Sequence, residues 1–166
     1  MACAQNHHRT ELTAAIGHAM AELQAEIDAD DQALADYLGI GRTDLRCLDL
    51  VFRHGPQPVR RLARLLGLTP GSVTALTDRL IAAGYVHRQP DPTHGRRVLI
   101  TPTERSVAIV NDLFSARLAE ANTELAEFDD IELAAVHRFL TLSRERHQRS
   151  AAQLRDRGSL RADSPR

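Results

Sequence analysis

Between residues 69 and 84 the chain sets small, hydroxyl-bearing and cationic side chains at helical spacing. Val73, Leu76 and Leu80 recur at steps of three and four, which turns them toward one buried face. Gly71, Ser72, Thr74, Ala75, Asp78, Arg79 and Ala82 are left on the outward face. Such a face suits a DNA groove: helix N-termini favour phosphate, Ser and Thr hydroxyls reach base edges or phosphates, the Ala75 methyl can meet a thymine methyl, and Arg79 can take guanine or the backbone. Ordinary solvated helices also carry Ser, Thr and Arg. The surroundings must decide.

Other chemistry finds little support. No P-loop, GxGxxG, HExxH, GxSxG or CxxC pair occurs, and the acids fall mainly at caps or on solvent faces, so neither an enzyme nor a cofactor is expected. The eight His do not cluster at metal-ligand spacing. Cys3 and Cys47 form no disulfide framework, and Cys47, beside Leu45 and Leu48, reads as a small core residue. The N-terminal MACAQNHHRTEL has no apolar run long enough for a signal peptide or a membrane span, so a soluble cytoplasmic protein is expected.

The outward face needs elements to hold it. Pro58 suits a first helical turn, Val59, Leu62, Ala63 and Leu66 follow on one stripe, and Gly67 is placed to stop the helix. Thr69 is then an N-cap and Pro70 a first helical residue, which makes two short helices across a three-residue turn, a helix-turn-helix. Behind it, residues 85–88 and 97–101 read as strands around the turn-rich Pro90-Asp91-Pro92-Thr93-His94-Gly95, a hairpin wing.

Upstream, Leu12, Ile16, Met20, Leu23 and Ile27 stripe a helix over residues 10–27. The acidic Asp28-Ala29-Asp30-Asp31 follows, then a short helical piece near residues 33–38, and then a helix capped by Thr43. Downstream, Val107, Val110, Phe114, Leu118, Ala121, Leu125 and Phe128 mark a longer helix, and Asp129 with Glu132 resembles a capping box opening the last one. The expected organisation is an N-terminal dimerisation helix over 1–32, a winged helix-turn-helix over 33–102, C-terminal dimerisation helices over 103–147, and a polar, flexible tail over 148–166. The fold class is mainly α with a small β-hairpin wing.

Charge supports the same reading. The net charge is −1, yet residues 53–105 hold nine arginines against Asp78, Asp91 and Glu104, a surplus of six. A local field of that sign can steer toward DNA despite the near-neutral total.

The run GPQPVRRLARLLGLTPGSVTALTDRLIAAGYVHRQPDPTHGRRVLITPTERS resembles the winged helix-turn-helix of the MarR family of bacterial regulators. Its most specific parts are Leu62-Ala63, Leu68-Thr69-Pro70, Thr74, Leu80 with Gly84, Arg88, and DPTHGRR leading to Thr101-Pro102-Thr103-Glu104. The resemblance implies a homodimer paired through helix one and the last two helices, a ligand-responsive repressor on a pseudo-palindromic operator in double-stranded DNA. It puts Thr69, Gly71, Ser72, Thr74 and Arg79 at DNA-contacting positions. It also aligns Asp91 and Arg96 with the acid and base that brace the wing. The wing departs from the common pattern at Thr93, His94 and Gly95, which leaves Arg97 and Arg96 as candidates for the minor groove. A small aromatic or phenolic effector is implied near His18, Tyr37 and Arg46. Two alternatives stand beside this reading: a protein-interaction adapter, which would expose apolar anchors on the recognition face, and a redox-sensing regulator using Cys47.

Overall fold

A computed structural model of the chain describes residues 2–157, with side chains from residue 7 onward. Residues 18–38 contain neither Gly nor Pro, and the first helix, α1 (Ala2–Leu38), runs through them without a break. The expected interruption at residues 28–31 does not occur. Asp lowers helix propensity by only a fraction of a kcal/mol, roughly 0.7 at most, and Arg42 compensates the acids from outside. Its Nη1 donates to the Asp28 carbonyl at 2.7 Å, and its Nη2 lies 3.4 Å from both Asp28 Oδ1 and Asp31 Oδ2. Gly39, at φ +66°, then ends the helix.

The second helix, α2 (Arg42–His54), begins after Gly41 in an extended conformation, so Thr43 lies inside the first turn and is not its cap. A two-residue strand that the periodicity does not signal, β1 (Gln57–Pro58), precedes α3 (Val59–Leu66). Pro58 therefore sits at the helix threshold, on the edge of a sheet, where its missing N–H is tolerated. Gly67 closes α3 in the left-handed region at φ 69°, its N–H bonding to Ala63 O, as its position implied. Thr69 caps α4 (Pro70–Ala82), its side chain accepting from Ser72 N at 3.1 Å.

The wing strands are β2 (Val86–Pro90) and β3 (Val98–Pro102), each displaced slightly toward the C-terminus from the expected spans. They join β1 in an antiparallel sheet of order β1-β3-β2, with Arg88 opposite Ile100 and Gln57 opposite Ile100 on the other side. One cluster of buried residues underlies these elements: Cys47, Leu48 and Val51 of α2, Leu62, Ala63 and Leu66 of α3, Val73, Leu76 and Leu80 of α4, then Tyr85, Val86 and Ile100. Truncating any fully buried leucine of this set costs about 2–5 kcal/mol.

The remaining helices are α5 (Glu104–Leu125) and α6 (Asp130–Asp156). Thr103 Oγ1 accepts from Ser106 N at 3.1 Å and so starts α5, and the Asp129–Glu132 capping box is formed at the start of α6. That helix continues to Asp156, so residues 148–156 of the expected tail are helical, and residues 158–166 lie outside the described residues. The chain forms two compact units that divide between Val110 and Asn111, and α1 passes residue 32 without a boundary.

Nothing lies within 4 Å of the position a Cβ would take at Gly67, so only backbone strain opposes a side chain there. Gly67→Ala is expected to destabilise the first unit by about 1–2 kcal/mol, the cost of a left-handed non-glycine residue. Chemical denaturation of the variant checks this, with Gly67→Asn recovering part of the loss.

Candidate nucleic-acid interface

The inward stripe of α4, Val73, Leu76 and Leu80, is fully or almost fully buried, joined by Thr77, whose hydroxyl donates to Thr74 O at 2.9 Å. Gly71, Ser72, Thr74, Ala75, Asp78 and Arg79 are all exposed. Their hydroxyls are already engaged. Thr69 Oγ1 and Ser72 Oγ lie 2.8 Å apart, and Thr74 Oγ1 donates to Pro70 O at 2.9 Å. This leaves one hydroxyl hydrogen of the Thr69–Ser72 pair, lone pairs and methyl groups, the Ala75 methyl among them, as what the first two turns present outward.

Arg79 is also committed. Its Nε donates to Asp44 Oδ2 at 3.0 Å and its Nη2 to Asp44 Oδ1 at 2.5 Å, a bidentate pair across 35 residues of chain. The Asp44 side chain is 7% exposed and that of Arg79 is 59% exposed. One edge of the guanidinium is therefore fixed to α2 while the opposite edge faces solvent. The hydrogen bond to Asp44, and then its charge, raise the Arg79 pKa further. No sequence signal announced Asp44, which lies among apolar residues on another helix. On its other flank α4 is tied to the sheet by Asp78, which accepts from Arg88 Nη2 at 2.6 Å.

In the wing, Asp91 is buried and accepts from Thr93 N at 2.8 Å, Thr93 Oγ1 at 2.7 Å and Arg97 Nε at 2.5 Å. The basic partner is thus Arg97, where the resemblance had implied Arg96. The reason is register: Asp91 N donates to Arg97 O at 2.8 Å, so residues 91 and 97 close the hairpin next to the Pro90–Val98 pair and present neighbouring side chains. Arg96, one residue away, is exposed and has no ion-pair partner among the described residues. Of the two minor-groove candidates, Arg96 is the unpaired one.

His18, Tyr37 and Arg46 are not brought together. His18 and Tyr37 stand on one unbroken helix with 19 residues of rise between them, about 28 Å. His18 Nε2 lies 3.2 Å from Glu22 on the surface, Tyr37 is 73% exposed, and Arg46 is exposed. Cys47 has no exposed surface, and its thiol is pushed up to about 12 by burial and then by the Asp44 charge. A thiol held protonated and out of solvent is a poor peroxide sensor, which removes the support for the redox alternative. The Cys3 side chain lies outside the described residues. Among the described residues no group of three or more His, Cys, Asp or Glu is arranged to hold a metal ion, and no helix is long and apolar enough to cross a membrane.

Two outcomes follow from this geometry. The Arg79 Nε–H, shielded by Asp44, is expected to give a slowly exchanging 15N-coupled resonance at neutral pH that Asp44→Asn abolishes; a fast-exchanging wild-type signal would show the pair to be absent in solution. Asp91 is lowered from 3.8 to about 2, first by the two Thr93 hydrogen bonds and then by Arg97. Its ionised form therefore stabilises the wing fully above about pH 4, and the contribution is lost as pH falls toward 2. A carboxyl 13C titration of Asp91 should show its midpoint near 2; an ordinary midpoint would mean that the wing contacts do not persist.

Comparison with known proteins agrees with this arrangement. The model of the MarR family matches residues 38–97. An uncharacterized HTH-type transcriptional regulator of Bacillus subtilis, YcgE, is 42% identical over 110 residues, which cover 66% of this chain and 71% of that protein. Among solved structures, RV1404 from Mycobacterium tuberculosis is 29% identical, with a TM-score of 0.57 over 76% of this chain and 86% of that one. A MarR family protein from Bacillus stearothermophilus shares the fold, with a TM-score of 0.60 at 21% identity over 85% of this chain and 96% of that one. With its helix-turn-helix, its three-stranded wing sheet and a relative of this identity and coverage, the chain belongs to the MarR family of transcriptional regulators.

Proposed function

We propose that the protein is a homodimeric, sequence-specific regulator that reads double-stranded DNA through α4 and holds it through the wing. The observation that carries this reading is the α4 surface. Every large apolar side chain on the inner stripe is buried, and the outer face is small and hydroxylated, with the exposed part of the Arg79 guanidinium farther along. An adapter would need apolar anchors on that face, and α4 offers none.

Pairing is supported by the flanking helices. Leu12, Ile16, Leu23 and Ile27 of α1 are 40–57% exposed, and Phe114, Leu118 and Leu125 of α5 and Val136, Phe139 and Leu140 of α6 are also exposed. Apolar stripes of this length are stabilised by covering them, and a second copy supplies the matching surface. Two reading heads related by a two-fold call for half-sites about one helical turn, roughly 10 bp, apart. A dimer seated on such a site blocks access to a promoter, so repression in the bacterial cytoplasm is the proposed outcome.

Sites selected from random duplexes by the purified protein should therefore contain an imperfect inverted repeat of that spacing, and light scattering should give a dimer at micromolar concentration. Thr74→Ala and Ala75→Ser should shift the selected sequence. A monomer, or selected pools without symmetry, would overturn the proposal.

A further inference from the structure

The arginines of the central segment differ in how much of their charge is available. Arg53, Arg79, Arg88 and Arg97 are each ion-paired, to Asp49, Asp44, Asp78 and Asp91 respectively. Arg105 lies over the Tyr85 ring, 5.6 Å from its centroid, and donates to Ala83 O. Four remain: Arg60, Arg61, Arg64 and Arg96, all exposed and with no acidic partner among the described residues.

These four line one groove. It has a volume of about 1200 Å³ and lies between α3 and the wing. Arg60, Arg61 and Arg64 share the outward face of α3 because Leu62, Ala63 and Leu66 take the inward one. The one acid in the groove wall, Asp91, is buried and already neutralised by Arg97. A helix in a major groove and a wing in the adjacent minor groove straddle the single sugar-phosphate strand that separates those grooves, and the first helix of a helix-turn-helix crosses the backbone. The groove is walled by the backbone-crossing helix α3 on one side and by the hairpin on the other.

We propose that Arg60, Arg61, Arg64 and Arg96 form a phosphate-binding groove for this strand, and that it, more than Arg79 or Arg97, sets the salt dependence of DNA binding. The inference rests on the DNA-binding reading above. Each phosphate neutralised contributes about 0.9 to the slope of log K against log salt, so the three α3 arginines in each of two lobes account for about five units and Arg96 for about two more.

The test uses the full chain and a 30-bp duplex selected by the wild type, with a scrambled duplex beside it. The variant Arg60→Ala/Arg61→Ala/Arg64→Ala should melt like the wild type, since Ala favours helix, yet lose several units of slope and weaken on both duplexes alike. Arg60→Lys/Arg61→Lys/Arg64→Lys should keep most of the slope, and Arg96→Ala should lose about two units. An unchanged slope in the folded triple alanine variant overturns the proposal while leaving the regulator reading intact. So does a variant that keeps its slope but loses a thermal upshift given to the wild type by inorganic phosphate, which would assign the groove to a free anion. Absence of wild-type binding to any duplex overturns both.

Discussion

Ile100 has no exposed surface and packs in the same cluster as Leu62, Val73, Leu76 and Leu80. It stands on the central strand of the sheet, paired on one side with β1 and on the other with β2. The wing and α4 are therefore built on one close-packed interior, and neither can tilt against the other without opening it. The two polar ties on α4, Asp44 to Arg79 and Asp78 to Arg88, act on this already fixed body from opposite flanks. They orient side chains more than they set the fold, because each has one end well exposed and gains little net free energy from the pairing.

What was legible in the sequence was what is decided within about four residues. The Thr69 cap, the Gly67 stop and the Asp129–Glu132 box each depend on neighbours in the chain, and each is formed. The apolar stripe of α4 was readable for the same reason, and it also defined the outward face. Features decided by distant partners were not. The strand Gln57–Pro58 exists only because Leu99 and Ile100 are beside it, and a run of two residues carries no periodicity. The acidic stretch of α1 is compensated by Arg42 reaching back to Asp28 and Asp31. The choice of Arg97 over Arg96 follows from which pair closes the hairpin, and a shift of one residue exchanges the faces.

Charge illustrates the same division. A surplus of six over residues 53–105 is a correct count, but it treats every guanidinium as equal. The fold cancels some of them locally with acids drawn from inside and outside the segment, Asp44 and Asp49 on α2 among them. Net charge of a segment measures its far field; near a surface, the pattern of pairing decides where an anion meets an unshared cation. Composition could place the positive third of the chain, and only the tertiary arrangement could place the uncancelled part of it.

The unbroken course of α1 has a mechanical consequence. Its C-terminal end is fastened to the elements that follow it by Tyr85, whose hydroxyl donates to Leu38 O at 2.8 Å, and by Arg42 at Asp28 and Asp31. Beyond those fastenings residues 2–27 of the 37-residue helix continue as a rod of about 39 Å, with no proline to act as a joint. A rod clamped at one end is a lever arm: a tilt of about 10° at the clamp carries the free end through roughly 7 Å over that length. The long helix thus converts small rotations of the unit that holds its end into large excursions of its tip.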